Sequence, residues 1–435
     1  MKLLKIKMSG IKNLSDTIEL EFYKGSVRKG ANFKNYNVKG IYGMNGSGKS
    51  AIIEGIDLYK KIALYTNNYL DTNKDYLDQL ISKNNKTIEL DVLFYSTIDN
   101  KVYQHSFVIE QTTTDYVIKL ETLTINKREK IDEIKKVIYK TIDGCLVELN
   151  YSPLIVSSNY NVEDFKNKSN NLLSKHSFMI MHIKTGYFVD FNQAELWFAN
   201  LISFVLSIQI YNVDTKNYVR KYDENELFRM KESNDVTNNY ESNPLQYIRN
   251  KEDTFIYNIH KSHYNAFESK INELTKFIEI FNKNLKSIEI EKKQNKDMYI
   301  CNLIMKYNDY KVDLQYESTG IKKLINLYDT INNVARGNIS FIDEFDANLH
   351  DVFYTKLIEF ITNYTDGQLI FTAHNITTME ILSNRKKSID FLSNGRITPW
   401  IKSGNYSAMN LYKNGRITNN IFNIEDFMFL GCFDD

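Results

Sequence analysis

The chain has 435 residues, of which 43% are apolar and 25% are charged, values that are ordinary for a folded protein with a sizeable core. Lysine plus arginine number 55 and aspartate plus glutamate 54, so the net charge of +1 does not by itself indicate a polyanionic or polycationic partner. Cys145, Cys301 and Cys432 are far apart, which argues against a disulfide framework or a zinc site and fits a reducing cytoplasm.

The most apolar segment is residues 197–211, and it is interrupted by Asn200, Ser203, Ser207 and Gln209. A membrane span needs about 20 apolar residues, so we expect a buried core helix here. The first residues contain too many lysines for the core of a signal peptide. We therefore expect a soluble, cytoplasmic protein without membrane attachment.

In chain order, the first predicted elements are strands at 3–8, 17–23 and 38–42, and a helix from about 49 to 65. From residue 87 apolar side chains alternate with others, which predicts a meander of half-buried antiparallel strands. The predicted meander strands are 88–94, 102–109, 116–125, 136–142 and 146–150.

Residues 164–283 have a mainly helical pattern, with an amphipathic helix at 267–281 and no sustained heptads that would predict a coiled-coil arm. Strands are predicted again at 287–291, 298–307 and 311–315. Helices at 321–335 and 350–361 then alternate with strands at 339–343, 369–372 and 388–392. This alternation predicts an α/β sheet.

A phosphate-binding loop follows the third strand, because residues 43–50 match the pattern GxxxxGK[ST] in full. Glycines let backbone N–H groups point at phosphate oxygens, the lysine supplies positive charge, and the last hydroxyl can ligate Mg²⁺. The helix that follows adds its positive N-terminal dipole. The predicted ATP-binding residues of this loop are Gly43, Asn45, Gly46, Ser47, Gly48, Lys49 and Ser50, and Ser50 is also a predicted magnesium ligand.

Two carboxylates, Asp343 and Glu344, end the apolar strand at 339–343. Together with a phosphate loop, this pattern predicts that Asp343 holds Mg²⁺ and that Glu344 is the general base for an attacking water. Asp346 follows, and His374 ends the next apolar strand, where it could reach the γ-phosphate and the catalytic water. The predicted catalytic residues are thus Glu344 and His374.

Ser318 and Gly320 lie at a predicted helix start, before the acidic strand. The order of phosphate loop, Ser-x-Gly, Asp-Glu strand and strand-His resembles that of ABC-type ATPases of the SMC and RecF-like branch. In that family a signature, LSGGQ, of one subunit contacts the γ-phosphate held by the other. The resemblance implies a homodimer or higher homo-oligomer with ATP and Mg²⁺ as cofactors, and Ser318 and Gly320 as ATP-binding residues. Glu317, Thr319 and Ile321 depart from the signature.

The resemblance also implies a fold: an α/β, ABC-type P-loop ATPase head with an antiparallel β-meander and a helical insert. Accordingly we expect residues 1–160 and 286–435 to form the two parts of the head and 161–285 to form the insert. The family's glutamine loop has two candidates, Gln193 and Gln104, which the sequence does not separate.

Several features resemble, more narrowly, the OLD-like (RloA/AbiL-like) ATPases of phage defence. These are the GxNGSGKS loop, the meander, the run DEFDANLH at 343–350 and the aromatic-glycine tail at 427–433. The resemblance implies a regulatory ATPase of an abortive-infection system whose effector is a separate protein, such as a Toprim-type nuclease encoded nearby. The 61 residues after His374 (435 minus 374) contain no DxD motif, in keeping with a separate effector.

The alternative is a RecF- or SMC-like ATPase that acts on DNA in repair or recombination. A transporter subunit fits less well, because 294 residues separate Lys49 from Asp343 (343 minus 49) and the signature is degenerate. His260 and His263 stand three apart on a predicted helix, but no third ligand is near, so we expect solvated or core side chains rather than a metal site.

Overall fold

The computed structural model describes residues 1–24, 27, 31–65, 68–126, 135–153, 160–187, 194–212, 255–402 and 406–417. Gln193, Cys432 and the tail at 427–433 lie outside these residues. Within them the strands form three sheets.

The first sheet is antiparallel. Its strands are β1 (Lys2–Ser9), β2 (Ile18–Glu21), β4 (Thr87–Ser96), β5 (Lys101–Gln111), β6 (Tyr116–Asn126), β7 (Lys135–Ile142) and β8 (Cys145–Leu149). Their order is β2-β1-β4-β5-β6-β7-β8. Alternate residues such as Ile88, Leu90 and Val92 are buried, as the period of two predicts. The predicted meander is confirmed.

The second sheet places the functional loops. Its strands are β3 (Val38–Tyr42), β9 (Ile208–Tyr211), β14 (Ile339–Ile342), β15 (Gln368–Ala373), β16 (Ile389–Ser393) and β17 (Arg396–Pro399), in the order β17-β16-β3-β15-β14-β9. All pairs are parallel except β16 with β17. Every residue of β3, β14 and β15 is buried, which explains their continuous apolar runs.

The third sheet has four strands: β10 (Ile256–His260), β11 (Leu285–Asn295), β12 (Met298–Tyr307) and β13 (Lys311–Asp313). β12 is central, with β11 on one side and β10 and β13 pairing with it as well.

The helices of the described residues are α1 (Lys49–Leu64), α2 (Tyr69–Thr72), α3 (Lys74–Leu80), α4 (Val162–Ser169), α5 (Phe178–Lys184), α6 (Leu196–Ser207), α7 (Tyr264–Phe281), α8 (Thr319–Ala335), α9 (Asp351–Tyr364), α10 (Met379–Leu382) and α11 (Ala408–Lys413). α1 packs against α5, α6 and β4, so nearly all of its side chains are buried. None of these helices has both the length and the apolar character needed to cross a membrane.

The segment at 197–211 differs from its prediction as a single helix. α6 ends at Ser207, and Ile208 begins β9, which pairs in parallel with β14 through Ile208 and Ile339. Residues 208–211 thus form the edge strand of the parallel sheet, although their composition is that of a buried helix. Hydrogen bonding to β14 outweighs their local preference for a helical conformation.

The histidine pair at 260 and 263 also differs from its helical prediction. His260 ends β10, and His263 lies in the 3₁₀ turn Lys261–His263. Both side chains are exposed. No cluster of three or more metal-ligating side chains that could hold an ion was found among the described residues.

His182 of α5 is a buried histidine that lies between aromatic rings. Its ring stacks on Phe165 with centroids 4.1 Å apart, and Nδ1 donates to the Phe178 carbonyl oxygen at 2.9 Å. Burial lowers the pKa of His182 from 6.5 to about 3, so the folded protein holds it neutral.

We expect His182 to make the fold acid-sensitive. Below pH 6.5 the unfolded chain binds a proton that the folded chain does not bind until near its lowered pKa. The free energy of unfolding therefore falls with falling pH by about 1.4 kcal/mol per unit from this residue. Urea unfolding between pH 7 and pH 5 should show a shallower pH dependence for His182→Gln than for wild type. The exposed control His260→Gln should match wild type, and parallel curves for all three proteins would contradict the assignment.

Candidate active site

The glycine-rich loop lies between β3 and α1, as its motif predicts. Gly46 and Gly48 have φ angles of +74° and +106°, a left-handed conformation that favours glycine. Gly48 is also the N-cap of α1 and has no side chain to cap it. The first N–H groups of α1 are therefore directed out of the helix without a side-chain acceptor, which is the arrangement that binds anions.

Close approach explains two of the loop glycines. A Cβ at Gly43 would lie 2.3 Å from the Leu392 carbonyl oxygen of β16, and one at Gly48 would lie 2.7 Å from Asn13 Oδ1. Asn13 Nδ2 also donates to the Gly46 carbonyl oxygen at 2.6 Å. Asn13, in the turn between β1 and β2, therefore braces the loop, and no motif in the sequence identifies it.

The Lys49 side chain lies along this loop and is largely buried. Its ammonium donates to the carbonyl oxygens of Gly43 and Met44 at 2.8 and 2.9 Å. Burial lowers its pKa, and the carboxylates of Asp343, Asp346 and Glu344 oppose that shift by raising the pKa. The loop lysine and the acidic strand end therefore lie in one electrostatic environment, although 294 residues separate Lys49 from Asp343 (343 minus 49).

Thr372 of β15 joins the two adjacent carboxylate residues. Its hydroxyl donates to Asp343 Oδ1 and accepts the Glu344 N–H, the latter at 2.8 Å. Asp343 is buried and Glu344 is half-buried. Glu344 has a φ angle of +46°, which is uncommon for a residue with a side chain. The chain therefore leaves the extended conformation of β14 at this pair of carboxylate residues.

His374 lies one strand away from Asp343, at the end of β15, with an exposed side chain. Its N–H donates to Asp346 Oδ2 at 3.0 Å, and the Asn375 N–H donates to the same oxygen at 2.7 Å. Asp346 therefore holds the backbone at His374. The structure thus brings together Lys49, Asp343, Glu344, Asp346 and His374.

The Ser318 segment begins α8. Ser318 Oγ accepts the Ile321 N–H at 3.4 Å, and both Ser318 and Thr319 are exposed. A Cβ at Gly320 would lie 3.2 Å from the Asn348 carbonyl oxygen, so the helix start packs closely on the segment after Asp346. These contacts place Ser318 and Gly320 beside residues 344–348, and the described contacts do not join them to the glycine-rich loop.

Glu317, which departs from the signature, and Lys323, a basic residue that follows Gly320, both have partners here. Glu317 accepts the Tyr307 hydroxyl and, at 3.0 Å, the Ser318 N–H. Lys323, one turn into α8, donates to the Glu344 carbonyl oxygen at 2.9 Å and lies 4.6 Å from the Tyr211 ring centroid. Lys323 therefore links this helix to the strained Glu344 backbone, a role that sequence spacing alone does not predict.

Asn212 is a further candidate for the role of the family's glutamine loop, although its side chain is that of asparagine. The Asp343 N–H donates to the Tyr211 carbonyl oxygen at 2.8 Å, so Asn212 follows β9 at the same sheet edge as Asp343. Asn212 is buried. Gln104 lies in the antiparallel sheet, where its side-chain amide donates to Asp91. The glutamine-loop assignment stays open, because Gln193 is outside the described residues.

The residues present fit a magnesium–triphosphate group. Ser47 Oγ and Asp346 Oδ1 are buried oxygens that have no hydrogen-bond partner among the described residues. Ser50 and Asp343 offer the hydroxyl and carboxylate oxygens that Mg²⁺ prefers. Because the described part of the chain has no group of three His, Cys, Asp or Glu side chains that could hold an ion, a Mg²⁺ ion at Ser50 and Asp343 would need phosphate oxygens or water as its other ligands.

Comparisons with known proteins found similar solved structures. A crystal structure of an SMC head bound to the C-winged helix domain of ScpA has 14% sequence identity and a TM-score of 0.44, covering 94% of this chain and 99% of that chain. The SMC head domain from Thermotoga maritima has 14% identity and a TM-score of 0.37, covering 92% of this chain and 100% of that chain. No family model and no curated protein matches.

Likeness at this level carries no conclusion about activity or partners. The strand order, the loop between β3 and α1, and the acidic end of β14 are features of this chain itself. They agree with the predicted α/β fold class, in which a glycine-rich loop follows a strand of a mainly parallel sheet and an antiparallel meander forms a second sheet. The division at residues 160 and 285 stays a prediction.

We expect the left-handed backbone at Glu344 to cost stability. Glycine adopts this conformation without the steric penalty of a Cβ, which is about 1 kcal/mol. Glu344→Gly should therefore be more stable than Glu344→Ala by about that amount in urea unfolding. The same pair of changes at the helical, exposed position Glu380 should have the opposite order. Equal stability of the two Glu344 variants would contradict a strained backbone at this position.

Proposed function

We propose that the protein binds ATP with Mg²⁺ and hydrolyses it to ADP and phosphate. The observation that carries this proposal is that a complete phosphate-loop motif with Lys49 and the acidic strand end at Asp343 and Glu344 follow parallel strands of one sheet. Neither element alone is specific, because glycine-rich turns and acidic strand ends are common. Their meeting at the carboxyl edge of one parallel sheet is the arrangement that phosphoryl transfer requires.

Each residue then has a distinct task. Backbone N–H groups of the loop and of the start of α1 bind phosphate oxygens, and Lys49 neutralises charge near the γ-phosphate. Ser50 and Asp343 would hold Mg²⁺, which when bound neutralises charge on the phosphates. The Thr372 hydroxyl orients the Asp343 carboxylate, because it donates to Oδ1.

The Glu344 carboxylate accepts a proton from water while the water oxygen attacks the γ-phosphorus. The bond from that phosphorus to the bridging oxygen breaks, and the electron pair leaves with ADP. His374 is held by its backbone N–H to Asp346 and offers an imidazole to the γ-phosphate or the water. The exposed His374 and half-buried Glu344 suit groups that meet a ligand rather than a packed core.

We further propose that two copies close face to face around nucleotide. Ser318 and Thr319 are exposed at the N-terminus of α8, where a second copy could bring its bound phosphate. Gly320 also allows the close approach of the Asn348 carbonyl oxygen, which a Cβ would meet at 3.2 Å, so glycine at this position has a packing role within the chain as well. The dimer proposal therefore depends on the family resemblance and on the exposure of Ser318.

The cellular role is proposed on sequence resemblance alone. The motifs of the phage-defence ATPases favour a regulatory ATPase with a separate effector, and the SMC- or RecF-like alternative favours DNA. A chain with a net charge of +1 does not favour DNA by charge alone. The alternative would be supported by binding of duplex DNA whose affinity falls with salt concentration, with a slope of log K against log[salt] that corresponds to several phosphate contacts. Co-purification with a nuclease would support the first proposal.

Removing the loop lysine should abolish nucleotide binding. Lys49→Ala deletes the ammonium that pairs with the phosphates, and we expect the affinity for MgATP to fall by at least about 100-fold. Calorimetric titration of the folded variant measures this change. Lys60→Ala, a change of the same kind farther along α1, should bind MgATP like wild type, and unchanged binding by Lys49→Ala would contradict the proposed site.

Removing the general base should separate binding from hydrolysis. Glu344→Gln keeps the shape of the side chain but not its proton acceptor, so kcat should fall by about 100-fold or more with MgATP binding retained. Light scattering after gel filtration should then detect an ATP-dependent dimer. Glu380→Gln is the exposed control, and a Glu344→Gln protein that turns over ATP at the wild-type rate would remove Glu344 from its role.

A further inference from the structure

Three buried hydroxyl groups meet beneath the candidate active site. Thr378 Oγ1 lies 2.8 Å from the Tyr42 hydroxyl and 3.0 Å from the Tyr354 hydroxyl. All three side chains have a relative exposure of 0%. We call this set the hydroxyl junction.

Each member of the hydroxyl junction comes from a different functional segment. Tyr42 is the last residue of β3 and directly precedes the glycine-rich loop. Tyr354 lies in the first turn of α9, which follows the Asp343–Asp346 segment. Thr378 comes four residues after His374 (378 minus 374). The junction therefore connects the loop, the acidic segment and the His374 segment at one buried point.

Aromatic packing holds the junction in place. The Tyr354 ring meets Phe345 and Phe371 edge-on, with centroids 5.3 and 6.1 Å apart. Tyr42 also meets Phe371 edge-on at 6.2 Å. A Cβ at Gly40 would lie 2.7 Å from the Tyr42 ring, so glycine at position 40 leaves the space that this ring occupies. The hydroxyl groups consequently have little freedom to move, and burial raises the pKa of both tyrosines, which keeps them protonated.

The chain from His374 to Thr378 is fixed at both ends. At the start, Asp346 Oδ2 accepts the N–H groups of His374 and Asn375. Within the segment, Asn375 Oδ1 accepts the Thr377 N–H at 2.9 Å. At the other end, the Thr378 hydroxyl is held in the hydroxyl junction. A short segment that is hydrogen bonded at both ends can hold a side chain in one position. Catalysis needs the position of such a side chain to be fixed to within a fraction of an ångström.

We propose that Thr378, through the hydroxyl junction with Tyr42 and Tyr354, is a positioning residue that sets His374 relative to the glycine-rich loop. This inference rests on the proposed ATP hydrolysis. Thr378 does not contact the reacting groups itself. It acts by holding the backbone that carries His374, so its loss should slow the chemical step without weakening the binding of nucleotide.

The test compares Thr378→Val, Thr378→Ser and Thr362→Val in the full chain. Valine keeps the shape of threonine and removes the hydroxyl, whereas serine keeps the hydroxyl. Thr362, on α9, is an equally buried threonine whose hydroxyl donates to its own helix at Ile358. We expect Thr378→Val to lower kcat for ATP hydrolysis by about 10-fold with KM changed by less than about 2-fold. Thr378→Ser should keep at least about half of the wild-type kcat, and Thr362→Val should keep all of it.

The rate of amide hydrogen exchange at residues 374–378 tests the positioning role of Thr378 independently of ATP hydrolysis. Thr378→Val should exchange faster than wild type there, while Thr362→Val should not, whether or not the protein turns over ATP. If wild type shows no hydrolysis, the proposed function fails, and the exchange alone decides whether the junction holds the segment. A wild-type kcat in Thr378→Val, a Thr378→Ser variant as slow as Thr378→Val, or unchanged exchange would overturn the inference.

Discussion

One ammonium group faces several carboxylates at the carboxyl edge of the parallel sheet, and this charge arrangement constrains the surrounding structure. Lys49 follows β3 and Asp343 follows β14, with β15 between those two strands. Parallel strands end at the same edge, so the sheet order alone brings the two residues together. Three carboxylate residues, Asp343, Asp346 and Glu344, act on the single ammonium group of Lys49. A triphosphate bound beside these carboxylates needs a divalent cation to offset the excess negative charge, and the proposed substrate is therefore MgATP.

β15 is the strand that organises this edge, because it pairs with both β3 and β14. Its Thr372 binds Asp343 and Glu344, and the residue after the strand, His374, is held by Asp346. The left-handed backbone at Glu344 is maintained by Thr372 on one side and by Lys323 of α8 on the other. Strain of this kind persists only where surrounding contacts determine it, and it occurs often at functional sites.

The sequence predicts the local parts of this structure well. The bounds of β3 match the prediction because an apolar run and the glycine-rich motif define both of its ends, and the meander follows from strict alternation. The single helix predicted over 197–211 is wrong at its end, because β9 exists only by pairing with β14, which lies more than 100 residues later in the chain (339 minus 208 is 131). Pairing partners so distant leave no periodic pattern in a four-residue strand.

The supporting residues of the site are the part that the sequence does not predict. Three hydrogen bonds of the site join residues far apart in the sequence. Asn13 and Gly46 are 33 positions apart, Thr372 and Asp343 are 29 apart, and Tyr42 and Thr378 are 336 apart. Each contact depends on the tertiary fold, and asparagine, threonine and tyrosine are common enough that no spacing rule selects them. A search for glutamine likewise overlooks Asn212, which only the strand order places at the edge beside Asp343.

The central claim is that Lys49, Ser50 and Asp343 form one metal–nucleotide site, and a crystal structure with Mn²⁺ and a non-hydrolysable ATP analogue tests it most directly. The anomalous signal of Mn²⁺ locates the ion independently of the surrounding electron density. We expect one strong peak at about 2.1 Å from Ser50 Oγ, joined to Asp343 directly or through one water, with the terminal phosphate next to Lys49. A nucleotide bound elsewhere, or a manganese ion without contact to Ser50 and Asp343, would contradict the claim.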